Sequence, residues 1–260
     1  MKEKQDMKKR NIIRGFLVLV MVVMTGFFIN LEITKADEKN TENYHLIPWD
    51  DGQSGTYWMD GYLYWIDMKK KKISRYSDEE MTKEEVLVEA DKGTCIGECG
   101  LLYDDIIYYV LIDNKTHAGN LYSYNLKSRE SNKLGAAREL QRLEVLVDGK
   151  IYGCGYTKTG NPEVFLYDLK GKKLKQICKN GYFGQIVGKY IAIQTISSSG
   201  KSGMTLYRKS DGQKIKTITS NCSYYEFIDN TFYYVEPIAE FKYKIKSYNI
   251  EKKKTITYGT

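Results

Sequence analysis

The sequence predicts an all-β fold, a β-propeller of about five four-stranded blades preceded by an N-terminal signal or anchor helix. Three observations predict it. Turn residues Gly61, Asp105, Gly149, Gly188 and Asn230 recur 44, 44, 39 and 42 residues apart. A tyrosine on the strand that follows each turn hairpin, Tyr76, Tyr124, Tyr167, Tyr207 and Tyr248, recurs at 48, 43, 40 and 41 residues. Between these markers lie short runs of aromatic and β-branched residues, which suit pleated, half-buried strands. A period of about 40–45 residues built from short strands is that of propeller blades.

Residues 1–36 stand apart from the repeats. Lys2, Lys4, Lys8, Lys9, Arg10 and Arg14 make a basic start, Gly15 to Leu31 is an uncharged apolar run, and Thr34-Lys35-Ala36 places small residues at a signal-peptidase site. This is the order of an export signal. The run of 17 residues is also near the lower limit for a membrane span. Cleavage after Ala36 and retention as an anchor are both open. Either places the rest outside the cytoplasm, secreted or tethered to the membrane, because the positive flank stays inside.

Asp37 to Asn43 is polar and reads as a linker. Residues 44–260 form the propeller, with repeats at about 53–92, 95–135, 141–179, 182–219 and 222–260. Tyr44 to Trp49 (YHLIPW) lies outside the repeats and is expected to close the ring by completing the last blade, so that no edge is left open. In the third repeat, Leu143 to Val147, Lys150 to Tyr156, Val164 to Leu169 and Leu174 to Cys178 are the four strands, with Asp148-Gly149 as a tight hairpin turn. The fifth repeat follows the same order over Tyr224 to Tyr258. Glu79 to Ala90 reads as a helical turn leading into a strand at Val86-Leu87-Val88. Ala136 to Leu143 (AARELQRL) has helix formers enough for one or two turns.

Charge and cysteine content narrow the function. Of the net charge of +7, the first 36 residues carry +4, which leaves about +3 on the remainder. That is too mild for a nucleic-acid partner. The five cysteines, Cys95, Cys99, Cys154, Cys178 and Cys222, are odd in number and irregular in spacing. Most read as small buried strand residues, with Cys178 and Cys222 the pair best placed for a disulfide. No zinc spacing, phosphate-binding glycine loop or nucleophile elbow occurs, so no cofactor or metal is expected. The 23 tyrosines recur at fixed repeat positions and read as packing between blades.

Asp60 to Ser77 reads DGYLYWIDMKKKKISRYS. It resembles a blade of the YWTD propellers of low-density-lipoprotein-receptor type, with Tyr64, Trp65, Ile66 and Asp67 in the YWTD places and Ile73 and Arg75 following. The repeated region is also similar to propeller domains of secreted or membrane-anchored Gram-positive proteins. The other repeats read IYYVLID, IYGCGYT, YIAIQTI and FYYVEPI at that strand, and the receptor domains have six blades. The resemblance implies a scaffold used for recognition.

The loops joining second to third strands are the longest and most variable parts of the repeats, and variable loops on a rigid scaffold are where function is placed. Trp65, Asp67, Asp113, His117, Tyr156, Glu236 and Glu240 are the ligand-binding candidates on that loop face. No catalytic residue is assigned. The leading expectation is a non-catalytic recognition or scaffold domain of a bacterial cell envelope, binding a protein or a glycan. A secreted glycoside hydrolase or lyase using propeller-face carboxylates is the alternative, and a sensor or accessory domain of an envelope complex a third. On the inner strands, Glu98, Glu144 and Glu226 alternate with apolar residues and show no convergence. The sequence leaves oligomeric state open.

Overall fold

Turn chemistry cuts this chain into hairpins. Asp60-Gly61 and Asp148-Gly149 both have positive φ, 49° and 79° in the first pair and 49° and 65° in the second, the conformation a two-residue hairpin turn requires. The computed structural model describes residues 44–47, 58–67, 69, 71–78 and 80–259. All fall within one compact unit, Glu42–Thr260. The apolar run Gly15–Leu31 and the linker lie outside the described residues. Among those described, no helix is long and apolar enough to cross a membrane.

Strand β1 (Tyr44–Ile47) precedes the repeats. The first blade comprises β2 (Trp58–Met59), β3 (Tyr62–Asp67), β4 (Lys72–Tyr76) and β5 (Glu84–Glu89). In the second blade the innermost strand is split into β6 (Thr94–Ile96) and β7 (Gly100–Tyr103), both paired with β8 (Ile106–Asp113), followed by β9 (Gly119–Asn125) and β10 (Glu130–Ala136). The third blade is β11 (Leu140–Val147), β12 (Lys150–Tyr156), β13 (Pro162–Asp168) and β14 (Lys173–Lys179). The fourth is β15 (Gly181–Val187), β16 (Tyr190–Ile196), β17 (Ser202–Arg208) and β18 (Lys214–Thr219). The fifth is β19 (Tyr224–Ile228), β20 (Thr231–Ala239), β21 (Lys242–Asn249) and β22 (Lys254–Gly259). Every blade is an antiparallel meander in sequence order. The fold is a five-bladed β-propeller.

Four apolar layers join consecutive blades. Tyr64, Ile66 and Ile73 pack on Ile107 and Tyr109 between the first and second. Leu101, Tyr108 and Leu121 meet Leu143, Ile151 and Phe165 between the second and third. Tyr152, Val164 and Leu166 meet Ile191, Ile193 and Tyr207 between the third and fourth. Ala192, Met204 and Leu206 meet Phe227, Phe232 and Tyr234 between the fourth and fifth. The repeat tyrosines Tyr76, Tyr124, Tyr167, Tyr207 and Tyr248 are all buried. Several hydroxyls reach across elements: Tyr152 donates to the Lys209 carbonyl at 2.8 Å and Tyr167 to Glu139 Oε2 at 3.2 Å. Each thus combines a large apolar ring with a satisfied polar end.

Several expectations are corrected. The strand at Tyr44–Ile47 does not complete the last blade. It pairs antiparallel with β7, Tyr44 opposite Tyr103 and Ile47 opposite Gly100, on the inner edge of the second blade. The outer place in the fifth blade is taken by β22 of the chain's own C-terminal end, while β7 offers a free edge and an apolar floor into which Ile47 buries completely. The strand expected at Val86-Leu87-Val88 is present and longer, Glu84–Glu89, with the β-branched Val86 and Val88 paired to β4, and no helical turn precedes it among the described residues. Ala136–Leu143 is the end of β10, a short turn and the start of β11, because Ala137, Leu140 and Leu143 are each drawn into the layer between the second and third blades. The expected Cys178–Cys222 disulfide does not form, and both are thiols. Those two are packed into different interblade layers, whereas Cys154, Cys178 and Cys222 are buried as expected.

Candidate functional site

The structure places the residues singled out by sequence in four different blades. Trp65 is half-buried in β3, opposite Ser74, and Asp67 ends the same strand. Asp113 ends β8 and organises the loop after it. Its Oδ1 accepts from the Lys115 amide at 3.0 Å, the Thr116 amide at 2.7 Å and the Thr116 hydroxyl at 2.9 Å. The Thr116 amide is the main reason its carboxyl titrates below the usual range. His117 is exposed in that loop with φ of 56° and donates its amide to the Asp113 carbonyl at 2.8 Å. Glu236 is ion-paired with Lys246 across the β20–β21 hairpin, and Glu240 is exposed at its tip. The acids with these partners therefore bond within their own hairpins. Tyr156 is the exception.

Tyr156 borders a charged cluster where the second and third blades meet the inner edge. Two glycines allow it to form. A Cβ on Gly155 would lie 1.5 Å from the Glu139 carbonyl oxygen, and one on Gly97 2.2 Å from that of Gln141. Only residues without a side chain let the backbone of β12 and the Gly97–Cys99 segment close on the start of β11. The Glu98 amide then donates to the Gln141 carbonyl at 3.3 Å, and the Glu98 carboxylate meets Arg142 at 3.5 Å. Arg142 Nε also holds Glu144 at 2.6 Å, two residues along the same strand face. Cys154, on the neighbouring strand, hydrogen-bonds Glu144.

Burial sets the electrostatics of this cluster. Desolvation pushes the Glu144 carboxyl above its ordinary value, against the pull of Arg142. Desolvation, then the Glu144 charge beside it, pushes the Cys154 thiol far up, so this thiol stays protonated. Tyr156 is raised by desolvation and by the Glu98 charge. Sequence reasoning missed Arg142 and treated Glu98 and Glu144 as separate. Two signals were available: the i, i+2 spacing of Arg142 and Glu144, and the separation of 44 residues between Glu98 and Arg142, one repeat period.

From this cluster, polar and aromatic groups continue from blade to blade. The Tyr156 ring meets Tyr182 of the fourth blade edge-on at 6.4 Å. Tyr182 pairs with Gln194. Gln194 Nε2 donates to the Ser202 hydroxyl at 3.2 Å, and its Oε1 accepts from the Tyr225 hydroxyl of the fifth blade at 3.3 Å. All lie toward the end of the blades that carries the second-to-third-strand loops. Away from this end, Asp148, Lys189, Arg208 and Lys209 line an open basin of ≈ 330 Å³ at the turns of the third and fourth blades. Its Arg208 is already paired with Asp211 at 2.9 Å. Among the described residues, no group of three His, Cys, Asp or Glu side chains is arranged to hold a metal ion.

No family model matches the sequence, and no curated protein does. The fold is shared with solved structures. An oligogalacturonate lyase in complex with manganese is similar at TM-score 0.52 and 11% identity, over 78% of this chain and 63% of that one. An oligogalacturonate lyase from Vibrio parahaemolyticus gives 0.51 and 10%, over 76% and 62%. A structure from a study of two prolyl endopeptidases gives 0.51 and 15%, over 87% and 36%. The chain thus spans under two thirds of the length of these structures. At such identities the likeness is one of fold, and fold alone carries no function.

Proposed function

We propose that this protein is a non-catalytic recognition domain of the bacterial cell envelope, exported by its N-terminal segment, and that it binds an extended polar ligand, a glycan or a protein segment, along the rim from Glu98 to Tyr225. The observation that carries the reading is the continuity of that rim. Arg142 acts electrostatically on Tyr156, the Tyr156 ring meets Tyr182, Tyr182 lies opposite Gln194 in the strand register, and Gln194 accepts from Tyr225, a run across three blades. Tyrosine and arginine on a rigid scaffold supply contact area and hydrogen bonds at low entropic cost, which is why they dominate binding hot spots. The acids favour binding over chemistry, since Asp113 and Glu236 are taken up in holding their own hairpins.

The test is a thermal-shift screen of the full chain in mild detergent against oligosaccharides, cell-wall fragments and peptides. A ligand that binds only the folded state raises the melting temperature by mass action. One class of ligand is expected to give a shift that Tyr156→Ala and Tyr182→Ala remove while both variants stay folded. Shifts that survive both substitutions would sink the rim as the site.

One observation favours a second reading, a glycosidase or lyase. Glu144 is pushed up by burial while Glu98 faces the same arginine, and two acids held in different environments are what acid–base chemistry on sugars uses. Turnover of an oligosaccharide that disappears in Glu144→Gln would establish it in place of the binding reading.

A further inference from the structure

We propose that the open face of the fifth blade is an interface between two copies of this chain, packed sheet against sheet about a two-fold axis that runs along the strands. Repeat-equivalent positions give the starting point. Tyr64, Tyr108, Tyr152 and Ala192 occupy one position on the second strand of successive blades, and each is 5% exposed or less, while Tyr233 at the same position of the fifth blade is 36% exposed. On the third strand Ile73, Leu121, Val164 and Met204 are each 0% exposed, while their counterpart Ile245 is 49% exposed. The fifth blade therefore presents a face of interblade composition, with Ile228, Tyr243, Ile256 and Tyr258 exposed beside Tyr233 and Ile245. Tyr233 and Tyr258 already stack at 6.4 Å, and the Tyr258 hydroxyl lies 2.9 Å from that of Ser247, so the layer is ordered.

A blade of the preceding kind cannot fill this place from the other end of the same arc. The centre of the corresponding face of the first blade is buried, Leu63 3% exposed, Tyr76 9% and Ser74 1%, and only Trp58 at its edge, opposite Leu63, is open at 44% among its described residues. No buried apolar cluster of the described residues contains both first-blade and fifth-blade side chains. That buried centre leaves the first blade little apolar surface for head-to-tail stacking of copies. What remains is the fifth-blade face against itself, an isologous contact.

Area and charge fit that occupant. The exposed parts of these six large side chains amount to about 550 Å² a copy, some two thirds of the ~800 Å² per partner of a stable interface. A patch of that size lies at the upper end of what a monomer leaves exposed, where patches are often functional. Among the strand residues of this face, Glu226 and Lys254 are the charged ones, Glu226 on the first strand and Lys254 on the fourth. A two-fold axis along the strands lays the first strand of one copy over the fourth of the other. Each Glu226 then comes within reach of the Lys254 stem of the second copy, twice per dimer, at the rim of an aromatic core. Aligned sheets pack about 10 Å apart in this way.

The experiment is sedimentation equilibrium of the full chain in density-matched detergent, from about 1 to about 100 μM, the range in which interfaces of this size associate. The wild type is expected to be a dimer dissociating within or below that range. Ile245→Asp and, independently, Ile256→Asp are expected to shift the midpoint at least tenfold toward monomer without changing the circular dichroism spectrum, since both positions are exposed in one copy. Glu226→Lys and Lys254→Glu alone are expected to weaken association, and the double swap to restore it. A wild type that stays monomeric at the highest concentration would overturn the proposal, whether the face is then covered by residues 1–43 or by nothing. So would a dimer indifferent to both aspartate variants, and so would charge swaps whose effects simply add.

Discussion

Glu84 is the side chain through which acid reaches the first blade. Lys72 Nζ lies 2.6 Å from its carboxylate and the Tyr76 hydroxyl donates to it at 2.9 Å. Lys72, the largest cause, then Ser74 and after it Tyr76 hold its pKa down to about 2, and the Tyr76 contact pushes Tyr76 up to about 12 after the effect of burial. An unfolded glutamate titrates near about 4.3, so the folded value is depressed. The contribution to stability is then complete above pH ~4.3 and is lost as pH falls toward about 2. The carboxylate is partly solvated, so about 1 kcal/mol is at stake. Melting temperatures of wild type and Glu84→Gln are expected to differ at pH 6, to approach each other below about pH 4 and to converge only near pH ~2. Parallel curves over that range would remove Glu84 from the acid response. None of this was legible in the sequence, because Lys72, Tyr76 and Glu84 come together only through the antiparallel register of β4 and β5. The same limit hid Arg142 between Glu98 and Glu144. Alternation along one strand could be read, but the approach of the Gly97–Cys99 segment to β11 depends on glycines whose spacing shows no period.

At the level of elements, the repeat itself was legible, because each hairpin carries its own turn chemistry and its own period of two. Asp148-Gly149 and the run from Lys150 to Tyr156 needed nothing distant to be recognised. The strand at Tyr44–Ile47 was recognisable as a strand for the same reason, but its partner was not, since a short, largely apolar strand suits any free edge and only the assembled blades show which edge is free. Ala136–Leu143 misled because helix propensity is weak beside tertiary burial, and three of its apolar residues are claimed by an interblade layer. Equivalent elements also differ in what they contribute. Met204 in β17 and Ile245 in β21 hold the same place in their blades, the first buried and the second half exposed. Met204→Ala is expected to cost about 2–5 kcal/mol by urea denaturation, as cavity-forming substitutions do. Ile245→Ala should cost under about 1 kcal/mol at concentrations low enough to keep the chain monomeric. Equal losses at low concentration would mean that the fifth-blade face is buried within a single copy.

Across the whole molecule, stability is a chain of neighbour contacts. Each interior blade is held on two faces, and the fifth is held on one, by the layer around Phe232 and Met204. In repeat architectures of this kind the ends open first, because fewer interfaces are lost when they do. The strand β22 is exposed along its length, every residue from Lys254 to Gly259. The three tryptophans, Trp49, Trp58 and Trp65, all lie at the opposite end of the chain, so their fluorescence reports on the first blade and its approach, while far-ultraviolet circular dichroism averages all five. Unfolding of monomer in urea is therefore expected to lose part of its circular dichroism before tryptophan emission shifts, and hydrogen exchange is expected to be fastest in β22 and β21. Raising the concentration should draw the two transitions together, since the dimer supplies the fifth blade with its missing layer. Coincident transitions at every concentration would show instead that the five blades unfold as one cooperative unit without a second copy, and that the exposed face costs the last blade nothing.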